Sequence, residues 1–240
     1  RLRADGLTFY YACVGRQPVV LVKSGIGRER SKRATESLLR IFDVDVIISA
    51  GLAGGLSDGV RTGELIIARG LVDYCHKENP GGVPAGSSCP CHRSLVDLSC
   101  KLAREGGLEF HCGDLVTVDE AVVQPALKRR IGEATSAVAV DMEGAGVAEA
   151  AAASGTPFLA LKALSDEIDD ELKGCDLVDG EGRVKILSVI SYLINNPLDL
   201  TYLLRMRRKT GVALDKLALF LRYFAERYRE TSNPLHMVEK

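Results

Sequence analysis

Short apolar runs rich in β-branched residues recur along this chain of 240 residues, and segments with helical periodicity separate several of them. The runs cover residues 8–14, 18–23, 44–50, 64–68, 114–118, 137–140 and 157–164. The helical segments cover residues 28–41, 94–105, 124–131 and 144–153. Such alternation is typical of α/β proteins, in which helices cover a largely parallel or mixed sheet.

The composition favours one globular domain with a sizeable core. Hydrophobic residues make up 46% of the chain and charged residues 26%. Because 31 lysines and arginines face 32 aspartates and glutamates, no excess of positive charge indicates a nucleic-acid partner. The sequence contains neither an apolar run of about 20 residues nor a signal-peptide pattern, which favours a cytoplasmic protein, although Arg1 is not an initiator methionine.

The cysteines also favour a reducing compartment, since seven of them are scattered through a chain that needs no disulfides. Cys75-His76 and Cys89-Pro90-Cys91-His92 bracket a stretch rich in glycine, proline and serine. Their spacing matches no common zinc motif, because pairs separated by two residues are missing. We therefore predict a loop with incidental thiols rather than a metal site, and we expect no metal or other cofactor.

The apolar runs at residues 46–48 and 158–161 are nearly continuous, which predicts strands buried on both faces at the centre of the sheet. In open α/β sheets, ligands bind outside the carboxyl ends of such strands. The residues that follow each central strand are therefore the place to look for a functional site.

Two glycine-rich segments follow strands. Ser24-Gly25-Ile26-Gly27-Arg28 opens a helix, which suits an anion or a hydroxyl-rich ligand, but Arg30 prevents a complete dinucleotide fingerprint. Gly51-Leu52-Ala53-Gly54-Gly55 permits either a simple tight turn or close approach of a ligand to backbone N–H groups.

Two carboxylates also follow predicted central strands. Glu143 comes after residues 137–140 and precedes an alanine-rich helix, and Asp166 comes after residues 157–164. Either residue alone is more often a helix cap than a catalyst. Two carboxylates and two glycine segments at strand ends together indicate a site.

These segments resemble the purine nucleoside phosphorylase and nucleosidase superfamily, closest to its methylthioadenosine/S-adenosylhomocysteine nucleosidase-like branch. The resemblance reaches to about Leu193 and covers four motifs, at residues 23–27, 49–56, 140–143 and 163–166. It implies a three-layer α/β fold with a mixed central sheet flanked by helices. It also implies a homo-oligomer that acts on a purine nucleoside, with adenine as the expected base.

The resemblance assigns roles to the acidic motifs. Glu143 is expected to hydrogen-bond the ribose hydroxyls, Met142 to pack against the sugar, and Asp166, preceded by Ser165, to donate a proton toward N7 of the purine. Cleavage of an N-riboside places positive charge on the sugar and negative charge on the base. A carboxylate near the sugar can stabilise the positive charge, and Asp166 can neutralise the base if it holds a proton.

The resemblance also assigns the base-binding loop to residues 117–122, which include Ala121 and Val122. Members of the superfamily usually place a stacking aromatic ring where this chain has Ala121. Stacking on the purine is therefore expected to be weak or to come from elsewhere.

The resemblance leaves two candidates for the nucleophile, water and phosphate. Phosphorylases of the superfamily place a serine where this chain has Leu52, although Arg28 and Arg61 offer positive charge for phosphate. Hydrolases of the branch use a glutamate after their first strand, and that strand would precede Arg1. We predict hydrolysis. The alternatives are a phosphorylase that uses phosphate as co-substrate and a nucleoside-binding protein without activity.

The segment after residues 1–196 is predicted to be a helical extension of the same domain, residues 197–240. Residues 198–229 indicate two helices separated near Thr210-Gly211, with an apolar stripe of Leu200, Leu203, Leu204, Leu214, Leu217, Leu221 and Phe224 and an excess of basic residues. Such helices either pack on their own domain or a partner subunit, or contact an anionic membrane at its inner surface. The tail resembles the hopanoid-associated phosphorylase-like group, which implies adenosylhopane as substrate.

Overall fold

The computed structural model describes residues 1–74, 88–173, 179–181, 185–196 and 199–232. Within these residues the strands are β1 (Leu2–Ala4), β2 (Leu7–Val14), β3 (Gln17–Val22), β4 (Ile47–Gly55), β5 (Leu65–Tyr74), β6 (Ser88–Pro90), β7 (Phe110–Val118), β8 (Ala139–Asp141) and β9 (Phe158–Asp166). The helices are α1 (Arg28–Ile41), α2 (Arg93–Glu105), α3 (Pro125–Thr135), α4 (Gly144–Ser154), α5 (Ile186–Asn195) and α6 (Asp199–Ser232).

The main sheet has the strand order β6-β5-β7-β8-β4-β9, and β5 also pairs with β9. The β4–β9, β5–β7 and β7–β8 pairs are parallel, whereas β4–β8, β5–β6 and β5–β9 are antiparallel. Strands β1, β2 and β3 form a separate antiparallel sheet. The predicted α/β class with a mixed sheet flanked by helices is confirmed.

The core centres on β9, in which every residue from Phe158 to Leu164 is buried. Helix α4 is alanine-rich and packs closely against α1, because a Cβ at Gly146 would lie 2.2 Å from the carbonyl oxygen of Arg28. This close approach fixes the start of α1, and with it the first glycine-rich segment, beside the start of α4.

Two sequence predictions about local structure are wrong. Residues 51–55 continue strand β4, and none of the three glycines there has a positive φ angle. Their small size serves a different purpose, since a Cβ at Gly54 would lie 3.0 Å from Oδ2 of Asp166. The predicted break near Thr210-Gly211 is also missing, because α6 runs through both residues as one helix.

Helix α6 packs on its own domain through residues spaced four and three apart, which places them on one face. The buried members are Ala213, Leu217, Phe220 and Phe224. Leu200, Leu204 and Leu214, which the sequence analysis placed in the apolar stripe, are exposed. No helix in the described part of the chain is long and apolar enough to cross a membrane.

Two of the strand edges that no described strand fully pairs with belong to β3 and β4. Strand β3 pairs only with β2, and β4 pairs on one side with β9 but on its other side only through Gly54 and Gly55, with β8. Consecutive residues of both strands line one cavity. Because side chains alternate between the faces of a strand, consecutive lining residues mean that the strand edges themselves border the cavity.

Candidate active site

A cavity of about 1160 Å³ lies at the carboxyl ends of β4, β8 and β9 and extends between β3, α1 and α6. Nine of the predicted site residues line it, and they come from segments far apart in the sequence. They are Gly25, Leu52, Gly54, Ala121, Val122, Met142, Glu143, Ser165 and Asp166. The structure thus brings the two predicted carboxylates to a single cavity.

Glu143 stands at the N-terminus of α4, but its side chain does not cap that helix. Asp141 does so instead, because its Oδ2 accepts a hydrogen bond from the backbone N–H of Gly144 at 2.9 Å. Glu143 Oε1 accepts one from the backbone N–H of Gly27, also at 2.9 Å. The first glycine-rich segment therefore orients Glu143, and Gly27 needs its φ of 102° to do so.

Burial raises the pKa of the Glu143 carboxyl above its usual range, and the neighbouring Asp141 adds to this effect. The Lys162 ammonium and the hydrogen bonds from the Gly27 and Met142 backbone act in the opposite direction. Glu143 thus has unused hydrogen-bonding capacity in a largely dry position, which suits recognition of neutral hydroxyl groups.

Beneath Glu143 lies a buried network around Asp141. Lys162, only 1% exposed, places its Nζ 2.8 Å from Asp141 Oδ2. Thr117 donates its hydroxyl to Asp141 Oδ1 at 2.7 Å and accepts a hydrogen bond from the N–H of Ala145 at 2.9 Å. The network joins β7, β8, β9 and α4 and fixes the backbone that carries Glu143.

Asp166 ends β9 and is 3% exposed. Its Oδ1 accepts a hydrogen bond from the Ser165 hydroxyl at 2.5 Å, and its Oδ2 lies 2.5 Å from Nζ of Lys128 on α3. The Ser165 hydroxyl also lies 3.1 Å from the carbonyl oxygen of Ala53. The side chain is therefore held on both oxygens while it borders the cavity.

Known proteins with similar sequences identify the family of this chain. A family model described as the phosphorylase superfamily matches residues 3–183. The chain belongs to the phosphorylase superfamily. Over 68% of its length it is 31% identical to a 5′-methylthioadenosine/S-adenosylhomocysteine nucleosidase of Exiguobacterium sp., covering 73% of that protein. Over 68% of its length it is 28% identical to an aminodeoxyfutalosine nucleosidase of Campylobacter jejuni, covering 74% of that protein.

Solved structures agree on the fold. The chain matches the futalosine hydrolase of Helicobacter pylori with a TM-score of 0.72 and 20% identity, over 94% of this chain and 87% of that one. It matches the Neisseria meningitidis 5′-methylthioadenosine/S-adenosylhomocysteine nucleosidase with a TM-score of 0.71 and 21% identity, over 94% and 88%. This phosphorylase-superfamily enzyme is thus an N-ribosyl hydrolase or nucleoside phosphorylase with a nucleosidase-like sequence.

One predicted site residue of the enzyme lies apart from the others. Arg28 is not among the described residues that line the cavity, and its guanidinium forms ion pairs with Asp73 and with Glu149, the latter at 3.3 Å. Arg61, also considered for phosphate, does not line the cavity either. Leu52 lines it and offers no hydroxyl to an anion.

Sequence reasoning missed the two lysines that are buried among the described residues, Lys128 and Lys162. Lys162 interrupts the apolar run of β9, and a charged residue at the centre of a buried strand is a usable signal for a buried ion pair. Lys128 carries no such signal, because the helical pattern around it is rich in exposed basic residues. Cys75 and His76, from the possible thiol cluster, lie outside the described residues, and the described ones contain no group suited to hold a metal.

The cavity has two parts of different character. Its polar part contains Asp141, Glu143, Lys162 and Asp166. Its apolar part is bordered by β3, α1, the first half of β4 and α6, with side chains that include Val20, Val22, Leu38, Ile48, Leu221 and Phe224. The polar part has the residues for chemistry on a nucleoside, and the apolar part adjoins it.

Proposed function

We propose that this enzyme hydrolyses the N-glycosidic bond of a purine nucleoside and releases adenine. The observation that carries the proposal is the placement of Glu143 and Asp166 on one cavity, each with fixed hydrogen-bond partners. Members of the same superfamily that resemble the chain are nucleosidases, which agrees with this activity.

The two carboxyl groups match the two charges that develop as the bond breaks. Glu143 accepts hydrogen bonds from the ribose hydroxyls, and its negative charge stabilises the oxocarbenium-like sugar. Asp166 gives a proton to N7 of the purine, which neutralises the leaving base as the bonding electrons move into its ring. Water then adds to C1′ of the sugar and loses a proton to solvent, and Asp166 takes up a proton from solvent before the next turnover.

The charges around the cavity favour water over phosphate as the nucleophile. Among the described lining residues the cations are Lys23 and Lys162, and the Lys162 ammonium already pairs with Asp141. The Arg28 guanidinium is committed to Asp73 and Glu149. A phosphate dianion needs several directed donors, which these residues do not supply.

Adenine release from methylthioadenosine, measured with and without inorganic phosphate, tests the proposal. We expect equal rates and free methylthioribose in both cases, and Asp166→Asn should lower kcat by about 10²–10⁴-fold because the proton donor is lost. Asp169→Asn is the matched control, since Asp169 is exposed and pairs with Arg129 outside the cavity. Release that requires phosphate would make the enzyme a phosphorylase, and equal rates for Asp166→Asn and the parent would remove the role of Asp166.

A second and finer candidate is adenosylhopane, a nucleoside joined to a lipid. The adjoining apolar part of the cavity and the exposed leucines of α6 near Arg205, Arg207 and Arg208 support it, because a lipid substrate needs an apolar channel and access to a membrane surface. The same apolar part is bordered by the open edges of β3 and β4, so a β-strand can occupy it as well.

Adenine release from adenosylhopane and from methylthioadenosine, measured side by side, tests the lipid candidate. If the cavity takes a lipid, adenine release from adenosylhopane in anionic vesicles proceeds with a higher kcat/KM than release from methylthioadenosine, and the enzyme sediments with the vesicles. Preference for methylthioadenosine, or no sedimentation, would defeat the lipid candidate and leave the nucleosidase activity unaffected.

A further inference from the structure

Lys128 is a buried cation beside Asp166, and it comes from a helix outside the predicted site motifs. Its side chain is 1% exposed, in α3, 38 residues before Asp166. A lysine is rarely buried unless its charge is compensated, because removing an ammonium from water is costly.

All three ammonium donors of Lys128 are used. Nζ donates to Asp166 Oδ2 at 2.5 Å and to the backbone carbonyl oxygens of Glu167 and Asp170, each at 2.8 Å. The two carbonyls belong to the turn that follows β9. Lys128 therefore fixes both the Asp166 carboxyl group and the chain that leaves it.

We infer that Lys128 is a positioning residue that holds Asp166 toward the purine and stabilises the carboxylate formed when Asp166 gives up its proton. The inference rests on the proposed function. When the N-glycosidic bond breaks, its electron pair moves to the purine, and the proton moves from the Asp166 carboxyl oxygen to N7. The new carboxylate then lies beside an ammonium, which favours the transfer.

Other charged groups near this pair are already matched to partners. On the following turn, Asp170 pairs with Lys209 of α6 at 3.6 Å, and Glu167 accepts a hydrogen bond from the N–H of Thr62. Lys162 pairs with Asp141 of β8 at 2.8 Å. The other charged groups of α3 are Arg129, which pairs with Asp58 and Asp169 outside the cavity, and the exposed Arg130 and Glu133. Glu143 lines the cavity from the start of α4.

A pH profile separates this role from a merely structural one. Lys128→Met should lower kcat by about tenfold or more with KM changed less than about threefold, since the residue acts in proton transfer rather than binding. The high-pH limb of kcat/KM should move upward by about one pH unit or more, because a carboxylic acid without an adjacent cation keeps its proton to higher pH.

Two variants complete the test. Lys128→Arg keeps the charge, so its high-pH limb should stay with that of the parent even if kcat falls. Lys101→Met, on the exposed face of α2, is the matched control and should leave the profile unchanged. Circular dichroism checks that each variant is folded.

Several outcomes overturn the inference. An unchanged high-pH limb in folded Lys128→Met would contradict the inference. An upward shift of the limb in Lys128→Arg would also contradict it, and this second variant provides the test if Lys128→Met does not fold. Either result leaves adenine release by the parent enzyme intact. A parent enzyme inactive on purine nucleosides would instead remove the proposed function itself.

Discussion

The two parts of the cavity are built differently. In the polar part, Asp141, Glu143 and Asp166 each have partners fixed at 2.5–2.9 Å from other elements. In the apolar part, aliphatic and aromatic side chains of β3, β4, α1 and α6 meet two strand edges that no described strand pairs with.

This difference predicts a different sensitivity to mutation. Directed, buried hydrogen bonds depend on single atoms, so changes in the polar part should act on catalysis. Dispersion and apolar burial are spread over many atoms, so changes in the apolar part should act first on stability. If a change in one part altered catalysis and stability equally, the two parts would not be distinct.

Among the variants that compare the two parts of the cavity, Glu143→Gln is expected to have the largest effect. The variant keeps the size of the side chain but removes the charge that we propose stabilises the sugar cation, so kcat/KM should fall by about 10²–10³-fold. Glu149→Gln, on the exposed face of the same helix, is the control and should retain activity. Steady-state adenine release measures both, and full activity in Glu143→Gln would contradict the assigned role.

The same variant should change the pH dependence of stability. Burial raises the pKa of Glu143 above 4.5, so the folded state binds a proton more tightly than the unfolded state. The carboxyl therefore costs no stability well below pH 4.5 and destabilises the fold as the pH rises through the raised pKa. Melting curves should show Glu143→Gln more stable than the parent at pH 8, with a smaller difference at pH 4; the reverse trend would refute the burial argument.

A smaller effect is expected in the apolar part. Phe224→Leu trims a buried ring that borders the cavity and packs on Phe220, and should lower the free energy of unfolding by about 1–3 kcal/mol. Adenine release from methylthioadenosine should change less than about threefold. Leu219→Ala, on the exposed face of α6, should change neither quantity. Denaturant titration gives the stability, and loss of activity in folded Phe224→Leu would show that the two parts are not separate.

The smallest effect concerns the base. Ala121 is exposed, lines the cavity and stands where a stacking ring is expected. Ala121→Phe should lower KM for methylthioadenosine by about 2–10-fold, because one aromatic contact contributes about 0.5–1.5 kcal/mol to binding. Ala126→Phe, at an exposed position of α3, is the control. An increase in KM for Ala121→Phe would mean that the base does not lie beside this residue.

Local patterns predicted the strands and helices that carry the site. The apolar run at residues 157–164 matched β9 closely, and the helix predicted at residues 28–41 matched α1. The acidic residues at strand ends could be found because the direction of a strand determines where its carboxyl end lies.

Features that depend on distant contacts could not be predicted. Residues 51–55 looked like a loop because glycine is common in turns, whereas here the glycines make room for Asp166 more than 100 positions away. The Lys128–Asp166 and Lys162–Asp141 pairs join elements whose proximity no local pattern reveals. The long α6 overrides Gly211, whose cost within a helix is only about 1 kcal/mol.

A crystal structure of the Asp166→Asn variant with methylthioadenosine would show whether Glu143 and the side chain at position 166 bind the two halves of one nucleoside. We expect ribose hydroxyls within hydrogen-bond distance of the Glu143 carboxylate, and purine N7 within about 3.2 Å of the side chain at position 166. A nucleoside bound elsewhere, or bound here with its sugar turned away from Glu143, would contradict this expectation.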